Sequence, residues 1–487
     1  MSSKSRLLKN SGLYSVIQIL QKCIGFFLLP VYTLFMPTEE KGLSDVVLTT
    51  VAFFSIFYTF AITSSVLRFY SDYKEDEKKL KDFWGTCTVF VLINGIIMTV
   101  LLIIARNFTL MPMTDWKVEF YPYLIVGLIS ITLNPVYSIF QSTLQAKEES
   151  KKYALNNLFY FLCNFLLNIL FVVGFKLGGL GILLALAITD LFAFIYTVIV
   201  FFPNITLRIN IKYLKEALKY SLPLLPHTLS GSIIAAVDKL FLNKFIGLGV
   251  TGIYSIASQF GNIISVVTTA VNQAYVPWFF NKMRDKKKNE KEIVNIAESL
   301  TMAYGFLAMV MSFFVPEIFK IFLDHKYLEG WKIIPTLVFA YVFNGIYYFF
   351  VNPLFYSKKG VKYIAIGTFT AAILNSVFNI VFIPIWGSIG AALASLMANI
   401  IACLLIYFIS KKLEPLKFNV IKMFSIVAVF YGLALCTFVF ERFSMPIAFL
   451  IKLTITIGII VIYALNNLKE TKKIFNYVKN VIIKKRG

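Results

Sequence analysis

The stretch GGLGILLALAITDLFAFIYTVIVFF, residues 178–202, holds a single charged side chain, Asp190, in 25 consecutive positions. A helix rises 1.5 Å per residue, so about 20 apolar residues cross the hydrocarbon core of a bilayer, and this stretch is long enough to do so. Similar runs recur from Ser11 to Leu465. About fourteen are marked out, at 11–35, 43–69, 83–105, 121–145, 153–175, 178–202, 220–246, 250–280, 293–323, 333–356, 361–385, 388–409, 418–440 and 445–465. The whole chain is 58% hydrophobic and 15% charged, with mean hydropathy +0.76, whereas soluble domains carry roughly a quarter charged residues. An all-α polytopic membrane protein follows.

The formal charge of +22 would suit a nucleic-acid partner if it were gathered on one soluble face. It is instead parcelled between spans. Lys and Arg near span ends set orientation, and with a cytoplasmic N-terminus about 34 of the 47 basic residues fall in inner segments. Both termini are therefore expected in the cytoplasm with an even number of spans, and the basic excess is read as orientation and attraction to anionic membrane lipid rather than nucleic-acid binding. Lys4 to Lys9 followed by an apolar run has the look of a signal peptide, but the run is long and no small-residue cleavage site follows, so the first span is expected to stay attached. All five cysteines lie inside predicted spans without metal-ligand spacing and read as small buried hydrophobes.

Shifting the chain by about 210 residues superposes landmarks on themselves. Gly42 falls near Gly252, Asn134 and Tyr137 fall on Asn344 and Tyr347, and Lys152 and Tyr153 fall on Lys362 and Tyr363. With one-residue slips Asn168 meets Asn379, and GLGILLALAITD resembles GAALASLMANI, which places Asp190 opposite Asn399. Six spans separate equivalent positions, so the copies share one orientation and an axis along the membrane normal. The organisation expected is an N-lobe at 1–202 with six spans, a basic linker at 203–219, a C-lobe at 220–410 with six spans, and two appended spans with a basic tail at 411–487. Paired lobes of this kind enclose a central site that rocking exposes to each side in turn.

Polar residues in the spans mark where that site lies. Lys22 sits near the middle of the first span, roughly ten residues or about 15 Å from either interface, beyond the reach of snorkelling. A charge there costs about 2.5–3.5 kcal/mol on insertion scales, so it faces protein or a hydrated cavity. Gln18 shares its helical face. Lys22 is the leading substrate-cavity cation, against the alternative of a structural ion pair with Asp190, which is itself a candidate site for a coupling proton or cation. Arg68, at the end of the second span, either snorkels or enters the cavity, and Lys239 with its neighbour Asp238 either contacts ligand or joins a local network. In the eighth span Gln259, Asn262 and Asn272 belong to a polar stripe that reads as the lining of a water-filled passage. Glu317 and Lys320 read as solvated charges at the outer boundary. No metal site, nucleotide-binding loop or catalytic constellation is expected, nor any cofactor.

VDKLFLNKFIGLGVTGIYSIASQF, residues 237–260, resembles a second-half segment of the Wzx-type oligosaccharide flippases of the multidrug/oligosaccharidyl-lipid/polysaccharide (MOP) superfamily. Asp238, Gly252, Ile253, Tyr254 and Ser255 match that pattern, while Lys239 replaces an Arg, and AYVPWFFNKM at 274–283 resembles the close of the same helix. The resemblance implies a MATE-like architecture of two six-helix lobes plus two C-terminal helices in the bacterial cytoplasmic membrane. It implies movement of undecaprenyl-diphosphate-linked oligosaccharide units from inner to outer leaflet for surface polysaccharide synthesis, with H+ or Na+ as coupling ion and a glycan polymerase as a partner. Lys22, Arg68 and Lys239 suit the anionic diphosphate. A lipid II flippase shares these features, a MATE-like drug or cation antiporter would want more acidic cavity residues, and a membrane glycan polymerase or glycosyltransferase would want an outer catalytic loop with placed acids and bases, which the short outer loops do not supply.

Overall fold

The computed structural model describes residues 26–357 and 360–466. Among the described residues fifteen helices carry the architecture: α1 (Leu29–Phe35), α2 (Thr38–Thr59), α3 (Ile62–Tyr73), α4 (Glu77–Ile104), α5 (Ile125–Ala146), α6 (Ser150–Asn168), α7 (Gly178–Val200), α8 (Ile211–Ser221), α9 (Leu225–Phe245), α10 (Leu248–Met283), α11 (Lys286–Phe322), α12 (Ile334–Tyr356), α13 (Val361–Leu413), α14 (Val420–Leu435) and α15 (Met445–Asn466). Local chemistry sets their ends. Glu39 and Glu40 occupy the first turn of α2, where negative charge complements the helix dipole. Asp76 caps α4 by accepting from the Lys79 backbone N–H, and this hydrogen bond holds its carboxyl below the ordinary carboxylate range.

Among the described residues eleven helical segments are long and apolar enough to cross a membrane, and the chain is a multi-pass membrane protein. The three fewer than the sequence suggested have separate reasons. Most of the first span lies outside the described residues. The seventh, α9, mixes Thr228, Ser232, Asp238, Lys239 and Asn243 into its 21 residues, which makes it too polar to be counted with the rest. The eleventh and twelfth run together as α13, bent at Gly387, whose φ of +56° is a left-handed conformation that only glycine takes without strain. The second span is likewise broken into α2 and α3 at Phe60 and Ala61, both at positive φ. The linker is more than a loop: α8 presents Lys212, Lys215 and Lys219 outward and packs Tyr213 and Ala217 against α3 and α4, with Ser65 Oγ donating to the Ala217 carbonyl at 2.8 Å.

Between helices immersed in lipid, apolar burial supplies little drive, so close backbone approach and polar contacts hold the bundle. Residues before the linker build apolar clusters around Val46, Val47, Leu128 and Leu183 and around Phe83, Trp84 and Phe140. Residues after it build one large cluster around Phe260, Phe313, Phe339 and Phe350. These two halves meet chiefly where α2 lies along α9 and α10. At that crossing Gly42 and Gly252 face each other; a Cβ on Gly42 would stand 1.8 Å from the Leu248 carbonyl oxygen, and one on Gly252 would stand 2.1 Å from the Thr38 carbonyl oxygen. We call this the Thr38 end of the bundle, and the opposite one, where the basic loops gather, the lysine-rich end.

The appended helices α14 and α15 pack on α11 and are fastened to it by charge. Lys452 of α15 is fully buried, with Nζ 2.7 Å from Glu317 Oε1 and 2.5 Å from Glu441 Oε1, while Glu441 Oε2 takes Lys320 Nζ at 2.5 Å. Glu317, read from sequence as a solvated surface charge, is therefore buried, because a lysine from the last span reaches it; two lysines and two glutamates balance the cluster.

Candidate functional site

Each half of the bundle carries a cavity with polar groups in its wall. In the second half α9, α10, α12 and α13 surround about 760 Å³ lined by Asp238, Lys239, Asn262, Tyr341, Asn344 and Ser395 among others. Asp238 is the buried anion of this wall. Tyr254 Oη donates to its carboxylate at 2.6 Å, Asn379 Nδ2 at 2.7 Å, Ser395 Oγ at 2.8 Å and Asn375 Nδ2 at 3.3 Å. All four donors are neutral groups brought in from α10 and both arms of α13, so the charge is solvated by dipoles and not cancelled.

The first half repeats this chemistry with different parts. About 610 Å³ lies between α2, α5 and α7, with Thr228 of α9 also in its lining. Asp190 of α7 lies in its wall, 1% exposed. It accepts from Asn134 Nδ2 at 2.7 Å, from Tyr160 Oη at 2.8 Å and, in a very short contact, from Ser130 Oγ. Here too the donors are neutral. Asn399, the residue opposite Asp190 by the sequence offset, lines the other cavity and donates from Nδ2 to the Ala340 carbonyl at 2.9 Å.

Lys239 links the halves. Its Nζ stands 3.9 Å from Asp45 Oδ1 on α2, and Asp45 also pairs at very short range with Lys41 one turn away, whose ammonium lies over the Tyr32 ring. Two lysines share one carboxylate, and of the three groups Lys239 lines the larger cavity, next to Asp238. Around this triad the Thr38 end is sewn shut. Tyr327 Oη donates to the Pro37 carbonyl at 3.0 Å, Lys117 Nζ to the Asn243 carbonyl at 2.5 Å, and Asn243 Nδ2 to the Thr114 carbonyl at 2.8 Å. Among the described residues, the hydrogen bonds and ion pairs that join the halves directly lie toward this end.

The other sequence candidates scatter. Lys22 and Gln18 lie outside the described residues. Arg68 pairs with Asp72 at 3.0 Å on the same helix, half-exposed, and lines neither cavity. The stripe on α10 divides: Asn262 and Ser265 face the cavity, Gln259 is half-buried outside its wall, and Asn272 Oδ1 accepts from Asn352 Nδ2 at 2.9 Å, tying α10 to α12. Lys41 and Asp45 were missed because Lys41 falls just before the predicted span at 43–69, although their i,i+4 spacing was a legible signal. Also missed was the stripe Ser130, Asn134, Ser138, Gln141 and Gln145 on α5, spaced by three and four residues. Among the described residues no group of three or more His, Cys, Asp or Glu stands where it would hold a metal ion.

Comparison with known proteins agrees with this architecture. The model of a family described as polysaccharide biosynthesis protein matches residues 7–283. An uncharacterized membrane protein of Methanocaldococcus jannaschii is 23% identical over 451 residues, covering 85% of this chain and 86% of its own. Among solved structures, a lipid II flippase, MurJ, in an inward closed conformation superposes with a TM-score of 0.73 at 17% identity over 94% of this chain and 99% of that one. An inward-facing multidrug resistance MATE family transporter of the MOP superfamily gives 0.59 at 14% identity over 83% and 95%. At these identities the likeness is one of fold.

Proposed function

The chain belongs to the polysaccharide biosynthesis protein family, and we propose that it is a flippase carrying undecaprenyl-diphosphate-linked oligosaccharide units from the inner to the outer leaflet of a bacterial cytoplasmic membrane. The observation that carries this reading is the pair of cavities with polar groups in their walls, one in each half of a membrane-spanning bundle whose direct hydrogen bonds and ion pairs between the halves, among the described residues, lie toward one end. A lipid-linked glycan needs such a path: its head is polar and its diphosphate anionic, while its tail stays in lipid. The ammonium of Lys239 in the cavity wall, together with Lys22, suits the diphosphate. The lysine-rich end is the cytoplasmic one in this reading, and the sewn Thr38 end faces outward.

Alternating access then proceeds by rocking of the two halves, with a proton or Na+ at Asp238 or Asp190 as the coupling ion. A buried carboxylate surrounded by neutral oxygen and amide groups suits either ion, since both bring the missing positive charge. Export of lipid-linked glycan by cells carrying Lys22→Ala or Lys239→Ala tests the proposal. A loss of tenfold or more at normal protein levels is expected, and unchanged export in both would remove it. The same cells separate the lipid II alternative: if peptidoglycan precursor stalls and surface glycan does not, the substrate is the cell-wall one.

A further inference from the structure

A third cavity adjoins the Asp190 site, between α5 and α6 toward the lysine-rich end, and measures about 310 Å³, at the small end of ligand-sized pockets. Ser138, Gln141, Ser142 and Gln145 line it from α5, and Tyr153 and Asn157 from α6. Spacings of three and four residues put each set on one helix face, so the cleft is two polar stripes looking at each other. Tyr137 and Tyr160 form its inner wall as a stacked pair, ring centroids 5.6 Å apart and 12° from parallel. Behind this wall Gln141 Nε2 and Tyr137 Oη are buried without a hydrogen-bond partner among the described residues, while Gln141 Oε1 is held by Asn157 Nδ2 at 3.2 Å.

Among the described residues no charged side chain lines the cleft, which sets it apart from the other two cavities. An anionic group would find no counter-charge there, and an acyl chain would strand the amides and hydroxyls without partners. A sugar ring meets both demands, since each hydroxyl donates and accepts, as each carboxamide and phenol does, and its C–H faces lie well against aromatic rings. Asn134, Ser138 and Tyr160 line both this cleft and the Asp190 cavity, so the two are continuous.

We propose that the cleft between α5 and α6 is a binding site for uncharged sugar units of the transported glycan, distinct from the place where the diphosphate is held. The proposal rests on the flippase reading for its physiological ligand, but the cleft's chemistry is tested separately. Saturation-transfer NMR on the full chain in lipid nanodiscs, with cellobiose, lactose and chitobiose as probes, is expected to show transfer to sugar protons that inorganic diphosphate does not compete away. Gln145→Ala, at an exposed position that leaves packing intact, and Gln141→Leu are each expected to weaken the signal about two- to tenfold, the range of one hydrogen bond. Absence of transfer to all three sugars, or transfer unaltered in both variants, overturns the site. If the sugars fail while Lys22→Ala still abolishes export, the cleft falls and the flippase reading stands. If sugars bind as described while the export tests fail, the flippase reading falls and the cleft stands as a saccharide site.

Discussion

Replacing Gly42 by Ala perturbs a place where the halves touch backbone to backbone. The added methyl carbon would stand 1.8 Å from the Leu248 carbonyl oxygen, and since real Cβ contacts do not fall below 3.0 Å, α2 and α10 must part by about 1.2 Å. The obstacle is a main-chain atom, so no side chain can swing aside. Overpacking of this kind costs about 1–3 kcal/mol. Set against an equilibrium between closed and open Thr38 ends, that shifts the ratio about 5- to 150-fold toward the open one. Spin labels on Glu119→Cys and Ile246→Cys, exposed positions on opposite halves at this end, read the change as a longer-distance population in a background lacking the native cysteines. Gly252→Ala, whose Cβ would stand 2.1 Å from the Thr38 carbonyl oxygen, is expected to do the same. If both variants, correctly inserted, keep the parent distance distribution, the crossing is not what holds this end closed.

Four further outcomes follow from the same contacts. Lys452→Ala leaves Glu317 and Glu441 buried without their shared cation and is expected to cost about 3–5 kcal/mol, seen as a lower unfolding temperature in detergent, which the charge-balanced pair Lys452→Met with Glu317→Gln largely restores. Burial alone would raise the Glu441 carboxyl, but hydrogen bonds from Lys320 and Lys452 outweigh it and hold the group below its ordinary value of 4.5. Its stabilisation is therefore complete above that value and lost as pH falls through the native one, and Lys320→Ala flattens that acid limb of a thermal-shift titration. Asp238→Asn keeps the size but removes the charge that four neutral donors surround, and export is expected to fall at least tenfold with the protein level unchanged. Arg68→Ala removes only an exposed pair with Asp72, of the kind that contributes about 0.2–1 kcal/mol, so export stays within about twofold of the parent.

Helix positions were legible because lipid imposes length and polarity on every span, and those constraints leave marks in single residues. The run at 178–202 needed one reading, and the helix found there differs at its end by two residues. Hinges left weaker marks. Gly387 follows Trp386 in an apolar run and looks like any membrane glycine, and nothing in Phe60 or Ala61 announces a left-handed backbone; tertiary packing decides both. At the site, the bias toward charges over amides decided what was missed. Asp190, Asp238 and Lys239 stood out as charges in apolar runs, and all three line cavities or bridge the halves. The α5 stripe did not stand out, because Ser and Asn occur throughout membrane helices as packing groups, and only the facing stripe on α6 turns them into a wall. Lys452 escaped notice for the opposite reason: its partners lie 11 and 135 residues away, beyond the reach of any local pattern.

The two halves agree where they touch and differ where they bind. Gly42 and Gly252, offset by about 210 residues in the sequence, meet each other across the crossing, so the close approach is made by equivalent positions. The carboxylates are not equivalent: Asp190 sits on the sixth predicted span and Asp238 on the seventh, and Asn399 stands where a second copy of Asp190 would be. A contact that must open and close without favouring either half gains from symmetry, because each half then moves by the same amount about a shared axis. A binding path gains from asymmetry. In the proposed reading one cavity offers the cation of Lys239 and the other leads into a cleft whose described lining is uncharged, so an elongated ligand that reached both, with an anionic end and a neutral end, would have one orientation in which every polar group is matched, and reversing it would set the anion against amides and leave Lys239 facing sugar.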